Sequence, residues 1–111
     1  MDPDEFEHAS RAVLERYPGD ERGRMLHAPG LKTAGTFYAF ATGDALVVKL
    51  PAARVTELIA TGEGRPCEPR PGRPMRQWVC LTPAGRDAGT AYLLEAREFV
   101  TGLREREGAR Q

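Results

Sequence analysis

Four arginines and the only tryptophan crowd one short stretch of the chain: Arg65, Arg70, Arg73, Arg76 and Trp78. A guanidinium offers a planar fork of donors that fits phosphate or carboxylate, and an indole beside it can stack on or anchor a partner. The same stretch carries Pro66, Pro69, Pro71 and Pro74, which stiffen it, and Glu63 and Glu68, which dilute its charge. Solvated loop arginines give the same pattern, so the stretch is a candidate binding surface with no chemistry of its own.

Other reactive types are sparse. His27 and His8 are the two histidines. A general base needs a nucleophile or acid within hydrogen-bond reach, and no spacing in the chain places Asp44 or Cys80 beside His27. Cys67 and Cys80 are too far apart for a CxxC motif and, with two scattered histidines, make no zinc pattern. Reduced structural thiols are the simpler reading; a strand-to-loop disulfide requires an oxidising compartment. Ser10 is the only serine, inside a helical segment with no nucleophile elbow around it. Gly62-Glu63-Gly64 lacks the lysine of a phosphate loop. The expectation is therefore a non-enzymatic protein with no catalytic residues, no metal site and no cofactor.

Composition narrows the class. With 111 residues, the chain is read as one domain over 1–107, with 108–111 a frayed tail. Sixteen basic and sixteen acidic side chains cancel. A dedicated phosphate-backbone binder usually has a basic excess, so a nucleic-acid role would need a local patch. No apolar run approaches the ~20 residues that span a bilayer. The acidic start, Met1 to Glu7, is unlike a secretory leader, and a cytoplasmic location is expected.

The elements that must position these residues follow from periodicity. Asp2, Pro3 and Glu5 open a helix, with Glu5 three residues after the cap. Phe6, Ala9, Val13 and Tyr17 recur at spacings of three and four. Pro18-Gly19-Asp20 stops that helix, and Glu21 to Gly23 continue the turn. Arg24 to Leu26 and Leu31 to Thr33 are short strand candidates about a Pro29-Gly30 turn, and Ala34-Gly35 is a second turn. Thr36 to Ala41 and Ala45 to Leu50 form a hairpin across Thr42-Gly43-Asp44. Leu46, Val48 and Leu50 take one face, Val47 and Lys49 the other.

Pro51 opens a second helix with Val55, Leu58 and Ile59 on its apolar face, and Gly62 ends it. Residues 62–74 read as an ordered loop or a short extended edge. Met75 to Leu81 is a strand with Trp78 and Cys80 on one face and Gln77 and Val79 on the other. The indole either packs on the last helix or lies on an open sheet face. The last helix carries Tyr92, Ala96, Phe99, Val100 and Leu103. The order gives a two-layer α+β fold with one antiparallel sheet of four to five strands. Val47, Val79 and one of Phe37 or Tyr38 are expected on the uncovered face.

With those elements placed, the chain resembles the TfoX N-terminal domain and the MmcQ/YjbR-like proteins. The likeness is carried by Gly23-Arg24-Met25, Ala28-Pro-Gly-Leu-Lys32, Gly35-Thr-Phe-Tyr-Ala-Phe40 and Asp44-Ala-Leu-Val-Val-Lys-Leu-Pro51. Arg54-Val55, Glu57-Leu58, Gly62 to Pro66, Gly72 to Val79, Glu95-Ala96 and Phe99-Val100 continue it. Leu26-His27 stands where many relatives have Phe then Gly, and Gly89 stands near a common aromatic position. The resemblance implies a curved antiparallel sheet, similar to that of type III secretion chaperones. It also implies a non-catalytic binding or regulatory domain that acts through protein–protein contacts, with a homodimer as one form. A DNA-associated transcriptional regulator is the alternative, and a small ligand-binding domain or enzyme the second. That second alternative requires a pocket near His27, Asp44 or Trp78.

Overall fold

Among the described residues, nine elements follow in the order α1 (Pro3–Arg16), β1 (Glu21–Met25), β2 (Ala28–Thr33), β3 (Thr36–Thr42), β4 (Ala45–Lys49), α2 (Ala52–Ala60), β5 (Gly64–Arg70), β6 (Arg73–Leu81) and α3 (Arg86–Ala109). The computed structural model describes residues 2–25, 27–43, 45–70, 73–83 and 85–109, and the backbone alone at 68–70, 73–75, 86 and 107–109. The strands form one antiparallel sheet in the order β1-β2-β3-β4-β6-β5. The sheet has six strands, more than the four to five read from the sequence.

Local chemistry explains the helix ends. Asp2 Oδ1 accepts the Glu5 backbone N–H at 2.9 Å, capping α1. Phe6, Ala9 and Val13 bury the predicted stripe. Gly62, at φ +82°, follows the α2 cap residue Thr61 in the left-handed region that glycine tolerates. Ile59, expected on the buried face of α2, is 36% exposed; Val55 and Leu58 carry that face.

All three helices cover the same side of the sheet. The core joins Phe6 and Val13 of α1, Val55 and Leu58 of α2, and Leu93, Ala96 and Val100 of α3 to Leu31, Leu46, Val48, Val79 and Leu81 of the strands. Val47, between Leu46 and Val48, is absent from that cluster, which places the helices on the Leu46/Val48 face and leaves the Val47 face without helical cover.

Three strand readings change. β1 starts at Glu21, so Glu21 to Gly23 are strand and not turn. Pro29-Gly30 lies inside β2, and the chain reverses before Ala28 instead. A proline fits there because β2 pairs with β3 only from Gly30 onward, so no β3 carbonyl waits for the missing N–H. Residues 64–70, read as a loop or short edge, form a full edge strand. Its edge position lets Pro66 and Pro69 stand in a sheet.

Candidate functional site

The face of β6 comes out reversed. Register sets Val48 opposite Val79 and Lys49 opposite Trp78. Directly paired residues share a face. Val79 is therefore core, at 0% exposure, and Trp78 lies on the helix-free face with Lys49. The expectation of Val79 on the open face fails; of the two readings of Trp78, packing on α3 fails and the open sheet face holds. The pairing register between two strands far apart in sequence decides this.

A bulge decides Phe37 against Tyr38. Leu31 pairs with Ala39 but Lys32 pairs with Phe37, so β3 spends two residues where β2 spends one. Tyr38 and Ala39 both turn to the core, at 0% exposure, and Phe37 faces out. There Phe37 lies across two paired glycines. A Cβ on Gly23 would stand 2.9 Å from the Phe37 ring, and one on Gly30 would stand 3.1 Å from it.

The open face thus collects Phe37, Phe40 and Trp78. Phe40 and Trp78 contact one another with centroids 5.6 Å apart and planes tilted by 49°. The Lys32 ammonium sits 5.6 Å from the Phe37 centroid, and the Lys49 ammonium 6.0 Å from that of Trp78. Val47 lies between its register partners Phe40 and Cys80 and is 1% exposed without any helix over it.

Of the candidate arginines, Arg65 pairs with Cys80 and so shares this face; Arg76, two residues before Trp78, does also. Both are exposed. Arg70 and Arg73 pair with one another where β5 meets β6, and their side chains lie outside those described. Sequence reasoning had not linked Lys32 and Lys49 to this set. Lys32, Lys49, Arg65 and Arg76 bring four positive charges to the face; register adds Glu21, opposite Lys32, at its edge. A chain of zero net charge therefore presents a locally basic, aromatic surface.

A cleft adjoins this surface. β2 and β3 part company below the Gly30–Phe40 pair, although β2 begins at Ala28 and β3 continues to Thr42. The opening holds about 1070 Å³. Phe6 lies at its helical end and Phe40 and Trp78 on the open face, with Met25 and Pro29 in the hairpin wall. Exposed His27, in the β1–β2 turn, also lines it. A pocket near His27 and Trp78 is what a ligand-binding reading required. Asp44 lies outside the described residues.

Cys67 and Cys80 are free and half-buried on adjacent strands. Burial and the neighbouring Cys80 push the Cys67 thiol up to about 11, which disfavours a reactive thiolate at neutral pH. Among the described residues, no group of three or more His, Cys, Asp or Glu could hold a metal, and no helix is long and apolar enough to cross a membrane.

A buried polar cluster on the helical side escaped sequence reasoning. Arg97 Nε and Nη2 donate to Asp20 at 2.7 and 3.2 Å, and the Tyr38 hydroxyl donates to Asp20 at 2.9 Å. The Arg97 guanidinium lies 3.5 Å from the Tyr17 ring centroid. Burial opposes the Asp20 charge, yet hydrogen bonds from Arg97, Thr33 and Tyr38 outweigh it and hold the carboxyl below its ordinary range. These groups tie the α1–β1 connection to β2, β3 and α3. The available signal was Arg97 itself, between Ala96 and Val100 on the apolar side of α3, where a charge demands a partner.

The class defined by fold and site is a two-layer α+β domain with a helix-free, basic and aromatic sheet face. No family model matches the chain, and no curated protein or solved structure does either.

Proposed function

We propose that the chain is a non-catalytic binding domain of the TfoX N-terminal/YjbR-like kind that holds an acidic, partly apolar protein segment on its open sheet face. It works in the cytoplasm with Cys67 and Cys80 reduced. The observation that carries this reading is the pairing of cations with aromatic rings on a face no helix covers. Lys32 and Lys49 stand near the rings of Phe37 and Trp78, and Arg65 and Arg76 flank them. Acidic side chains of a partner would meet the cations while its apolar side chains cover Phe37, Phe40 and Trp78.

The same geometry disfavours the DNA-associated reading. Base stacking needs free ring faces. Here the lysines approach two of the rings, and Phe40 and Trp78 are tilted against one another. Like charges on two copies also disfavour a homodimer built face to face through this surface.

Selection from a random peptide library tests the reading. Recovered sequences should combine Asp or Glu with Leu, Ile or aromatic residues, and their binding should fall at least tenfold in Lys49→Glu. Peptides of no charge preference, or peptides indifferent to that substitution, would refute it. Salt-dependent binding of a thymidine oligonucleotide that quenches Trp78 would put nucleic acid in the partner's place.

A further inference from the structure

We infer that the cleft between β2 and β3 is a binding site for an amphipathic carboxylate, an apolar chain or ring system ending in one carboxylate. The inference does not rest on the protein partner proposed above, although the cleft shares Phe40 and Trp78 with the open face. It rests on shape, lining and the distribution of polar groups.

The cleft's volume, about 1070 Å³, is just above the ~300–1,000 Å³ of small-molecule sites. Phe6, Met25, Pro29, Phe40 and Trp78 give it apolar walls. It opens where two neighbouring strands stop pairing, so the sheet itself supplies much of its wall. An apolar body entering it would remove these side chains from water.

The polar lining is uneven. Glu7 accepts from Arg22 at 2.8 and 3.0 Å, which neutralises both. Arg24 and His27 remain, each exposed and each with a side chain that makes no ion pair or hydrogen bond to another described residue. Arg24 pairs with Pro29 across β1 and β2, and His27 occupies the turn that joins these strands. Both therefore belong to the same wall. A guanidinium whose donors no other described side chain takes up, beside an apolar cavity, complements a carboxylate on an apolar body and disfavours a cationic or fully apolar occupant. The ligand would lie with its body between Phe40 and Trp78 on one side and the hairpin on the other, and its head toward Arg24.

Three probes with the same chain separate charge from apolar burial: decanoate, decanol and decylammonium. Trp78, as the only tryptophan, reports binding through its emission. Decanoate is expected to bind roughly tenfold or more tightly than decanol, the effect of a charge-assisted hydrogen bond, and decylammonium more weakly than either. Arg24→Ala, at an exposed strand position, should lower decanoate to the affinity of decanol and leave decanol unchanged. Thr42→Phe, also at an exposed lining position, should fill the opening and weaken both. Circular dichroism confirms that each variant is folded. Equal binding of decanoate and decanol overturns the inference, as does decanoate binding indifferent to Arg24→Ala, retention of both probes by Thr42→Phe, or no response to any probe. None of these outcomes decides the peptide selection, which is read through its dependence on Lys49, a residue outside the cleft lining.

Discussion

Asp20 is the residue on which most of the interior polar chemistry converges. Its side chain is 2% exposed and is held by Arg97, which is 19% exposed. Removing one partner of such a pair leaves a charge without compensation, at a cost of about 3 kcal/mol or more. Asp20→Asn should therefore lower stability by that order in chemical denaturation. The pH dependence has a definite sign. Against the opposing effect of burial, hydrogen bonds from Arg97, Thr33 and Tyr38 depress the folded-state pKa of Asp20 below the ordinary carboxylate range. Its contribution is thus fully present above the unfolded value and is lost as pH falls through the folded one. Acid unfolding of the native chain should steepen below about pH 4, and Asp20→Asn should flatten that limb. An unchanged acid limb in the variant would show that Asp20 is not the group that titrates. Sequence alone placed Asp20 in a helix-stop signal with Pro18 and Gly19. Its burial depends on α3 arriving from the other end of the chain, which no local pattern records.

The β2–β3 hairpin shows what elements disclose and what they hide. The short turn at Ala34-Gly35 was legible because glycine marks it. Its strain was not: Ala34 adopts φ +47°, in the left-handed region, followed by Gly35 at +83°. Two successive positive φ values are what an Asn-Gly turn satisfies with less strain. Ala34→Asn should raise stability by about 0.5–1 kcal/mol, read as a higher denaturation midpoint with an unchanged denaturant slope. The Arg104 bond to the Ala34 carbonyl, at 3.1 Å, is made to backbone and survives the change. A lower midpoint would show that the turn is held by something other than its own backbone preference. Elsewhere the helices and the β3–β4 hairpin were readable from periodicity, since each pattern is local. β5 was not, because the four prolines and three glycines of residues 62–74 signal a loop unless the segment is known to be an edge. The bulge in β3 was likewise hidden, and with it the choice of Phe37 over Tyr38 for the open face. Arg65, Arg76 and Trp78 were legible as a chemical cluster, whereas Lys32, Lys49, Phe37 and Phe40 join them only through strand register.

At the scale of the whole molecule, the distribution of charge matters more than its sum. Sixteen positive and sixteen negative side chains cancel, yet the sheet face gathers Lys32, Lys49, Arg65 and Arg76, while the Asp20–Arg97 and Arg54–Glu95 pairs neutralise charge on the helical side. An acidic partner responds to the local field within a Debye length of about 8–10 Å, so reversing charges on the two sides should have different effects. Lys32→Glu, Lys49→Glu and Arg76→Glu together should reduce association with an acidic peptide taken from the selection by a hundredfold or more at low salt. Arg11→Glu, Arg16→Glu and Arg106→Glu together change the net charge by the same amount on exposed helical positions, and should change association by only a few-fold. Raising the salt should narrow the difference by weakening the native complex, since the long-range part of the attraction is screened. Equal losses from the two triple variants would mean that net charge alone drives association, and the sheet face would lose its claim to be the binding surface.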